Sequence, residues 1–351
     1  MNSLFRRAFL TKAMVSAAAI AAATMIGGAF SPAEAQAALP KVRVGVMASG
    51  TVKWELLTMA ARGIDKANGF ELVISDYATG DAADIAIAGN NVEVVAKDFI
   101  AVSAQRASGL DFTWVPHSAT VGGVIVKKDS GIKTVADLSG KTVFVSPSAL
   151  DKSYLLLRAW TQAKLGKDIT AVAKDVKFGA SPMANDALVK GDAQAIMNLW
   201  NWNARLLADP AYTQLIGTED ILKDIDPALN RKLPMVGWVF HEAYAKANTA
   251  TINNFLKASV ATKKVLLAED AAWTPLRDAM MTGITGTPAQ LDAMFIALRD
   301  QYRRGIVTSY TADDQKAAAT AFAVLAKIGG EDLVGKSPTL SPGTFYTGFT
   351  F

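Results

Sequence analysis

Residues 42–60 read VRVGVMASGTVKWELLTMA, and this stretch decides the fold class. Val42, Val44 and Val46 alternate with other residues, the period of a half-buried strand. Ser49-Gly50-Thr51 breaks that period with turn formers, and from Trp54 the composition is helical. A strand that ends in a small polar loop and opens into a helix is a site-building unit. Its loop leaves backbone N–H groups free, and the helix N-terminus is electropositive. The same pattern also serves as an ordinary strand–helix turn in any α/β domain. The rest of the chain has to decide between the two.

The pattern recurs. Glu71 to Tyr77 alternates as a second strand, and Thr79-Gly80-Asp81 ends it and opens a helix across DAADIAIAG. Residues 92–96 predict a third strand closing at Lys97-Asp98, with a helix from Phe99 to Ala107. Residues 111–115 and 121–126 predict two more strands. Strands alternating with helices at this spacing predict a largely parallel, doubly wound sheet. The polar break Lys127-Lys128-Asp129-Ser130-Gly131 is a candidate crossover, after which the cycle restarts. A strand over 141–145 ends at Ser146-Pro147-Ser148, and a helix runs from about Asp151 to Leu165. A strand over 175–178 and a helix over 183–190 follow, and the chain then runs into Asn198-Leu199-Trp200. A strand near 234–240 returns the chain, and helices with breaks at 283–288 and 305 fill the segment to about Ile328. The expectation is an α/β protein of two lobes, each a doubly wound sheet with helices on both faces. Lobe 1 takes residues 38–126 plus 235–351, and lobe 2 takes 127–234.

Composition removes several functions. Lys and Arg total 36 against 32 Asp and Glu, a formal charge of +4 to which Arg6, Arg7 and Lys12 contribute. No basic block carries interleaved aromatics, so nucleic acid is not an expected partner. The chain has 0 cysteines, which excludes disulfides, thiolate metal sites and Cys nucleophiles. It shows no G-x-S-x-G and no H-E-x-x-H, and its 2 histidines have no triad spacing. No dense Asp/Glu loop suits a hard cation. The expectation is a protein that is not an enzyme, with no cofactor and no metal. Residues 1–37 read as an export signal. The basic start MNSLFRRAFLTK precedes an apolar run from Ala13 to Phe30, and Ala33-Glu34-Ala35 fits a small-x-small cleavage site. Arg6-Arg7 with Phe9, Leu10 and Lys12 resembles the twin-arginine motif, with a general secretory signal or a membrane anchor as alternatives. The mature chain is expected in the periplasm, as a monomer.

An ordered set of segments carries a family resemblance: RVGVMASGTVKWEL, Gly69-Phe70-Glu71-Leu72, ATGDAADIAIAG, Lys97-Asp98, SGIKTVADLSGKTVFV, LDKSYLLLRAW, MNLWNWNARLL and LPMVGWVF. The set resembles the periplasmic substrate-binding proteins of nitrate/sulfonate/taurine-type ABC importers. Proteins that bind the pyrimidine precursor of thiamine are related to them. The resemblance implies a type II periplasmic-binding-protein fold, a small polar solute in the cleft, and a permease and ATPase complex as partners. An enzyme making the thiamine pyrimidine shares the fold, but it needs His and Cys residues of its own. A periplasmic enzyme or a partner-binding sensor is the alternative of another class.

In such a fold, loops at the carboxyl ends of strands face the cleft. That places Ser49, Gly50, Thr51, Trp54, Thr79, Gly80, Asp81, Lys97, Asp98, His117 and Ser118 on one side. Ser146, Ser148, Asp151, Asn198, Trp200 and Trp202 face them, with Trp238 near the return crossing. Matching to the family carries over Ser49–Thr51, Gly80-Asp81, Asp98, Ser146–Ser148 and Asn198–Trp202 as ligand-binding residues. Asp81 and Asp151 also read as helix N-caps, and Ser146 and Ser148 as turn formers. Trp200 and Trp202 share a strand-like parity, which would put both on one face. An oxyanion wants N–H groups, hydroxyls, Lys or Arg. Carboxylates at 81, 98 and 151 instead favour an amine-bearing or heteroaromatic solute, or a metal complex, with tryptophans stacking on it.

Overall fold

The computed structural model describes residues 38–351, so the export-signal reading of residues 1–37 lies outside the described residues. β1 (Lys41–Met47) buries Val42, Val44 and Val46, as the alternation requires, and leads into α1 (Lys53–Ala61) and α2 (Ile64–Ala67). β2 (Glu71–Tyr77), α3 (Gly80–Ala88), β3 (Val94–Asp98), α4 (Phe99–Ala107) and β4 (Phe112–Ser118) follow. The second sheet is built from β5 (Gly123–Lys127), β6 (Thr142–Val145), β7 (Asp175–Phe178), β8 (Ala195–Asn198) and β9 (Tyr212–Gly217). Its connections carry α5 (Lys152–Leu165), α6 (Ile169–Val172), α7 (Ser181–Lys190), α8 (Trp200–Leu207) and, after β9, α9 (Thr218–Ile225). β10 (Val236–His241) returns to the first sheet. The chain ends in α10 (Glu242–Ala247), α11 (Thr249–Ala268), α12 (Arg277–Met281), α13 (Pro288–Gly305), α14 (Ala312–Gly329) and α15 (Glu331–Val334).

The strand orders are β2-β1-β3-β10-β4 and β7-β6-β8-β5-β9. Both sheets are mixed, which corrects the largely parallel expectation. β10 runs antiparallel to β3 and β4, and β5 runs antiparallel to β8 and β9. The reason is topological. A chain that crosses at the facing ends of two sheets must enter the next sheet at that end. Its first strand there runs away from the gap, against strands that end at it.

The crossing also comes earlier than the polar break at Lys127–Gly131. The chain leaves the first sheet after Ser118 and joins the second at Gly123. The crossover needs close backbone passage rather than polarity. A Cβ at Gly122 would lie 2.0 Å from the Asn198 carbonyl oxygen. Lys128–Ser130 is only a short 3₁₀ turn after β5.

The helical C-terminal segment does not stay on the first lobe, where the sequence places it. α11 does pack on α1 and α2, but α13 lies against α8 and α14 against α5, so the segment straddles both sheets. Amphipathic spacing explains this. Leu298 and Tyr302 of α13 share a core cluster with Trp54 and Ala204, while Ala318, Phe322 and Leu325 of α14 share one with Leu155 and Val124. Burying a leucine or phenylalanine such as Leu298, Phe322 or Leu325 is worth roughly 1.5–3 kcal/mol in transfer terms.

Candidate functional site

Strands β1, β3, β6 and β8 point their carboxyl ends at one another across the gap between the sheets, and two side-chain contacts span it. Trp54, in the first turn of α1, meets Trp200 at the start of α8 edge-on, with ring centroids 6.0 Å apart at 86°. Tyr302 of α13 completes the ring cluster at 5.5 Å from Trp54 and 6.1 Å from Trp200. Elsewhere along the gap, Lys152 Nζ of α5 lies 3.0 Å from Asp98 Oδ2 at the end of β3.

The aspartates hold helix starts as well. Asp98 accepts the Ala101 N–H at 2.8 Å and caps α4, and Asp151 accepts the Tyr154 N–H at 2.9 Å and caps α5. Burial pushes the Asp151 carboxyl up to about 6, with the nearby Asp98 charge adding to it while the Tyr154 N–H and Lys152 resist. Burial opposes the charge on Lys152, but Asp98 outweighs it and holds that lysine above its ordinary value.

The other expected residues divide. Ser49 is exposed, and Gly50 sits in a tight turn whose N–H donates to the Met47 carbonyl at 2.8 Å. The Thr51 carbonyl accepts the Trp54 N–H at 3.2 Å. Gly80 and Asp81 open α3 at the surface, but Thr79 is the cap, accepting from Ala82 N at 3.2 Å. The buried Ser146 hydroxyl is turned inward onto Ser181, Oγ to Oγ at 2.7 Å. Ser148 accepts the Leu150 N–H at 3.2 Å in an exposed turn. Asn198 spends its side chain inside its own lobe, donating to Ser181 O and Asn185 Oδ1 and accepting from Leu199 N. Trp202 does not share a face with Trp200. The segment is helical, so two residues turn the chain about 200°. Trp202 instead stacks under the Arg205 guanidinium at 3.9 Å. Lys97 pairs with Asp84, and the Trp238 indole donates to Ser259 Oγ at 2.9 Å inside the first core.

Three contributors escaped the sequence reading: Lys152, Tyr302 and Glu55. Lys152 follows Asp151 at a helix start and was open to inspection. Tyr302 carries no local signal, because only tertiary packing of α13 brings it to Trp54. Glu55 is fully buried behind Trp54. Its Oε1 accepts the Ser259 hydroxyl at 2.5 Å, and its Oε2 lies 3.5 Å from Lys263 Nζ and 3.4 Å from His117 Nδ1. Burial raises the Glu55 carboxyl against the pull of Lys263, and lowers both Lys263 and His117, the latter well below its ordinary value with the Lys263 charge adding to it. Among the described residues no group of three or more His, Cys, Asp or Glu could hold a metal ion. The arrangement suits reversible enclosure of a solute between aromatic and charged walls.

A family model described as NMT1/THI5 like matches residues 43–270. No curated protein sequence matches the chain. The periplasmic aliphatic sulphonate binding protein SsuA from Escherichia coli is similar in structure, with a TM-score of 0.68 at 17% identity over 89% of this chain and 93% of that one. The alkanesulfonate-binding protein SsuA from Xanthomonas axonopodis pv. citri, bound to MOPS, gives 0.62 at 15% over 88% and 99%. The ligand binding component of an ABC-type import system from Staphylococcus aureus, with zinc bound, gives 0.60 at 11% over 87% and 96%. At these identities the likeness is one of fold: two mixed five-stranded sheets with flanking helices, as in periplasmic binding proteins.

Proposed function

The chain belongs to the NMT1/THI5-like family, and from that premise we propose that it is the solute-binding component of an ABC importer. It works outside the cytoplasm, encloses a small solute between its two lobes and hands it to a membrane permease without chemical change. The lobes are the two sheets with their helices, joined by crossings over residues 119–122 and 226–235. The observation that carries this reading is the pair of contacts, Trp54–Trp200 and Asp98–Lys152, made across the gap by the ends of both sheets. A molecule whose facing ends already hold complementary groups has a closed state that a solute can stabilise. The names of the similar structures support import as the role. Among the described residues no helix is long and apolar enough to cross a membrane.

The test is native mass spectrometry of protein purified from its own host without denaturation. A bound small molecule, released on unfolding and unchanged after incubation, is expected. Conversion of that molecule to a product would replace transport with catalysis.

A further inference from the structure

Five of the eleven exposed large apolar side chains among the described residues lie at the strand ends that face the gap or in the segments just after them: Met47, Leu150, Phe178, Met183 and Leu199, 37% to 57% exposed. Scattered single cases are ordinary, but a concentration on one region marks an interaction site. Both sheets contribute. Met47 ends β1, Phe178 ends β7, Leu199 follows β8, and Met183 lies in the first turn of α7. Two of them flank the contacts that span the gap, since Leu199 precedes Trp200 and Leu150 stands two residues before Lys152. The rim continues into the Trp54, Trp200 and Tyr302 rings.

The charges on these loops are unequal. Lys53 is held by Asp76 at 2.6 Å, Lys97 by Asp84, and Lys152 by Asp98 at 3.0 Å. Asp81 and Asp151 make no ion pair among the described residues, although Lys152, paired with Asp98, also draws on Asp151. Lys177 is exposed, but strand alternation puts it on the opposite face of β7 from Phe178. The starts of α1, α4 and α5 are also occupied, whereas α7 and α8 begin without a capping side chain. Asp98 and Asp151 take N–H groups of α4 and α5, and the Gly50 and Thr51 carbonyls take those of Lys53 and Trp54. An oxyanion finds no free lysine here and no open N–H groups at α1, α4 or α5, and at α7 and α8 it would meet the exposed apolar Met183 and Leu199.

Resting on the solute-binding role proposed above, we infer that the cargo is an organic cation with an apolar body, an alkyl or aryl amine. Its ammonium group lies toward Asp151 and its hydrocarbon part on the apolar rim and the tryptophan rings, where a cation also gains from the ring faces. The test is calorimetric titration of the full-length protein with octylamine, ethylamine, 1-octanesulfonate, taurine and nitrate. Octylamine is expected to bind at least tenfold more tightly than ethylamine or octanesulfonate. Leu199→Ser and Phe178→Ser are expected to weaken octylamine several-fold, with unchanged melting temperature for Leu199→Ser, while Phe178→Ser also gives up the edge contact with Tyr154 at 5.4 Å. Asp151→Asn keeps a capping side chain and is expected to weaken both amines without lowering the melting temperature. Tighter binding of octanesulfonate, taurine or nitrate than of octylamine overturns the inference and leaves the solute-binding role standing. Octylamine binding that ignores the Leu199 and Phe178 substitutions also overturns it and assigns the rim to a protein partner. Binding of none of the five overturns the inference and counts against the role itself.

Discussion

At the scale of single residues, Glu55 and Asp151 show two ways a carboxylate is kept in a protein. Glu55 is out of reach of water and depends on Lys263 and Ser259. Removing one partner of such a pair leaves the other charge buried and uncompensated. Glu55→Gln is therefore expected to lower unfolding free energy in denaturant by about 3–5 kcal/mol. Adding Lys263→Met should recover most of the loss, since the pair then leaves together. A single substitution that costs under about 1 kcal/mol would mean that water reaches Lys263. Asp151 behaves differently, because its folded value of about 6 lies above the ordinary 3.8. The folded state holds the proton more tightly than the unfolded chain. The resulting stabilisation is complete below about pH 4, is lost as pH rises toward 6, and is gone above it. Asp151→Asn should remove that slope. Its melting temperature, measured from pH 4 to 7, is expected to climb relative to the native protein across this window. Parallel curves would mean that Asp151 is solvated.

At the scale of elements, helix starts were the legible part, because a cap needs only a side chain and the next turn. Asp151 caps as its position before a helix suggests, Asp98 caps α4 although it reads only as a cleft residue, and at α3 the work falls to Thr79 rather than Asp81. β2 and α4 fall on the residues their periodicity marks, since both repeat long enough to be unambiguous. The edge strand β9, half-buried from Tyr212 to Ile216, carries no such period. The run 198–202 has a strand-like parity in the sequence but is helical from Trp200, which turns Trp202 away from the face of Trp200. Ser146 and Asn198 were placed at the right ends of strands, but whether a hydroxyl or amide faces out or in depends on Ser181 and Asn185, which belong to another element. Asp98 allows the cap to be separated from the ion pair. Asp98→Asn keeps a capping oxygen and loses only the pair with Lys152, and is expected to cost up to about 1 kcal/mol. Asp98→Ala loses both, and should cost about 1 kcal/mol more. Equal losses in urea unfolding would show that the side chain does not cap α4 in solution.

At the scale of the whole molecule, the sheets are tied by two crossings and also by helices. α13 reaches α8 and α14 reaches α5, so opening the gap must slide those helix faces or carry them with one sheet. The Trp54–Trp200 and Asp98–Lys152 contacts oppose opening. If together they favour the closed form by about 1.4 kcal/mol, removing them shifts the closed-to-open ratio about tenfold. Trp200→Ala combined with Lys152→Ala is therefore expected to enlarge the radius of gyration of the ligand-free protein in small-angle scattering. Saturating ligand should contract the native protein's radius toward a value the double variant reaches only at higher concentration. A radius identical in both proteins, with and without ligand, would have a definite meaning. The helices that straddle the sheets would then fix the lobes, and solute would enter through the rim of Met47, Leu150 and Leu199 without hinge motion.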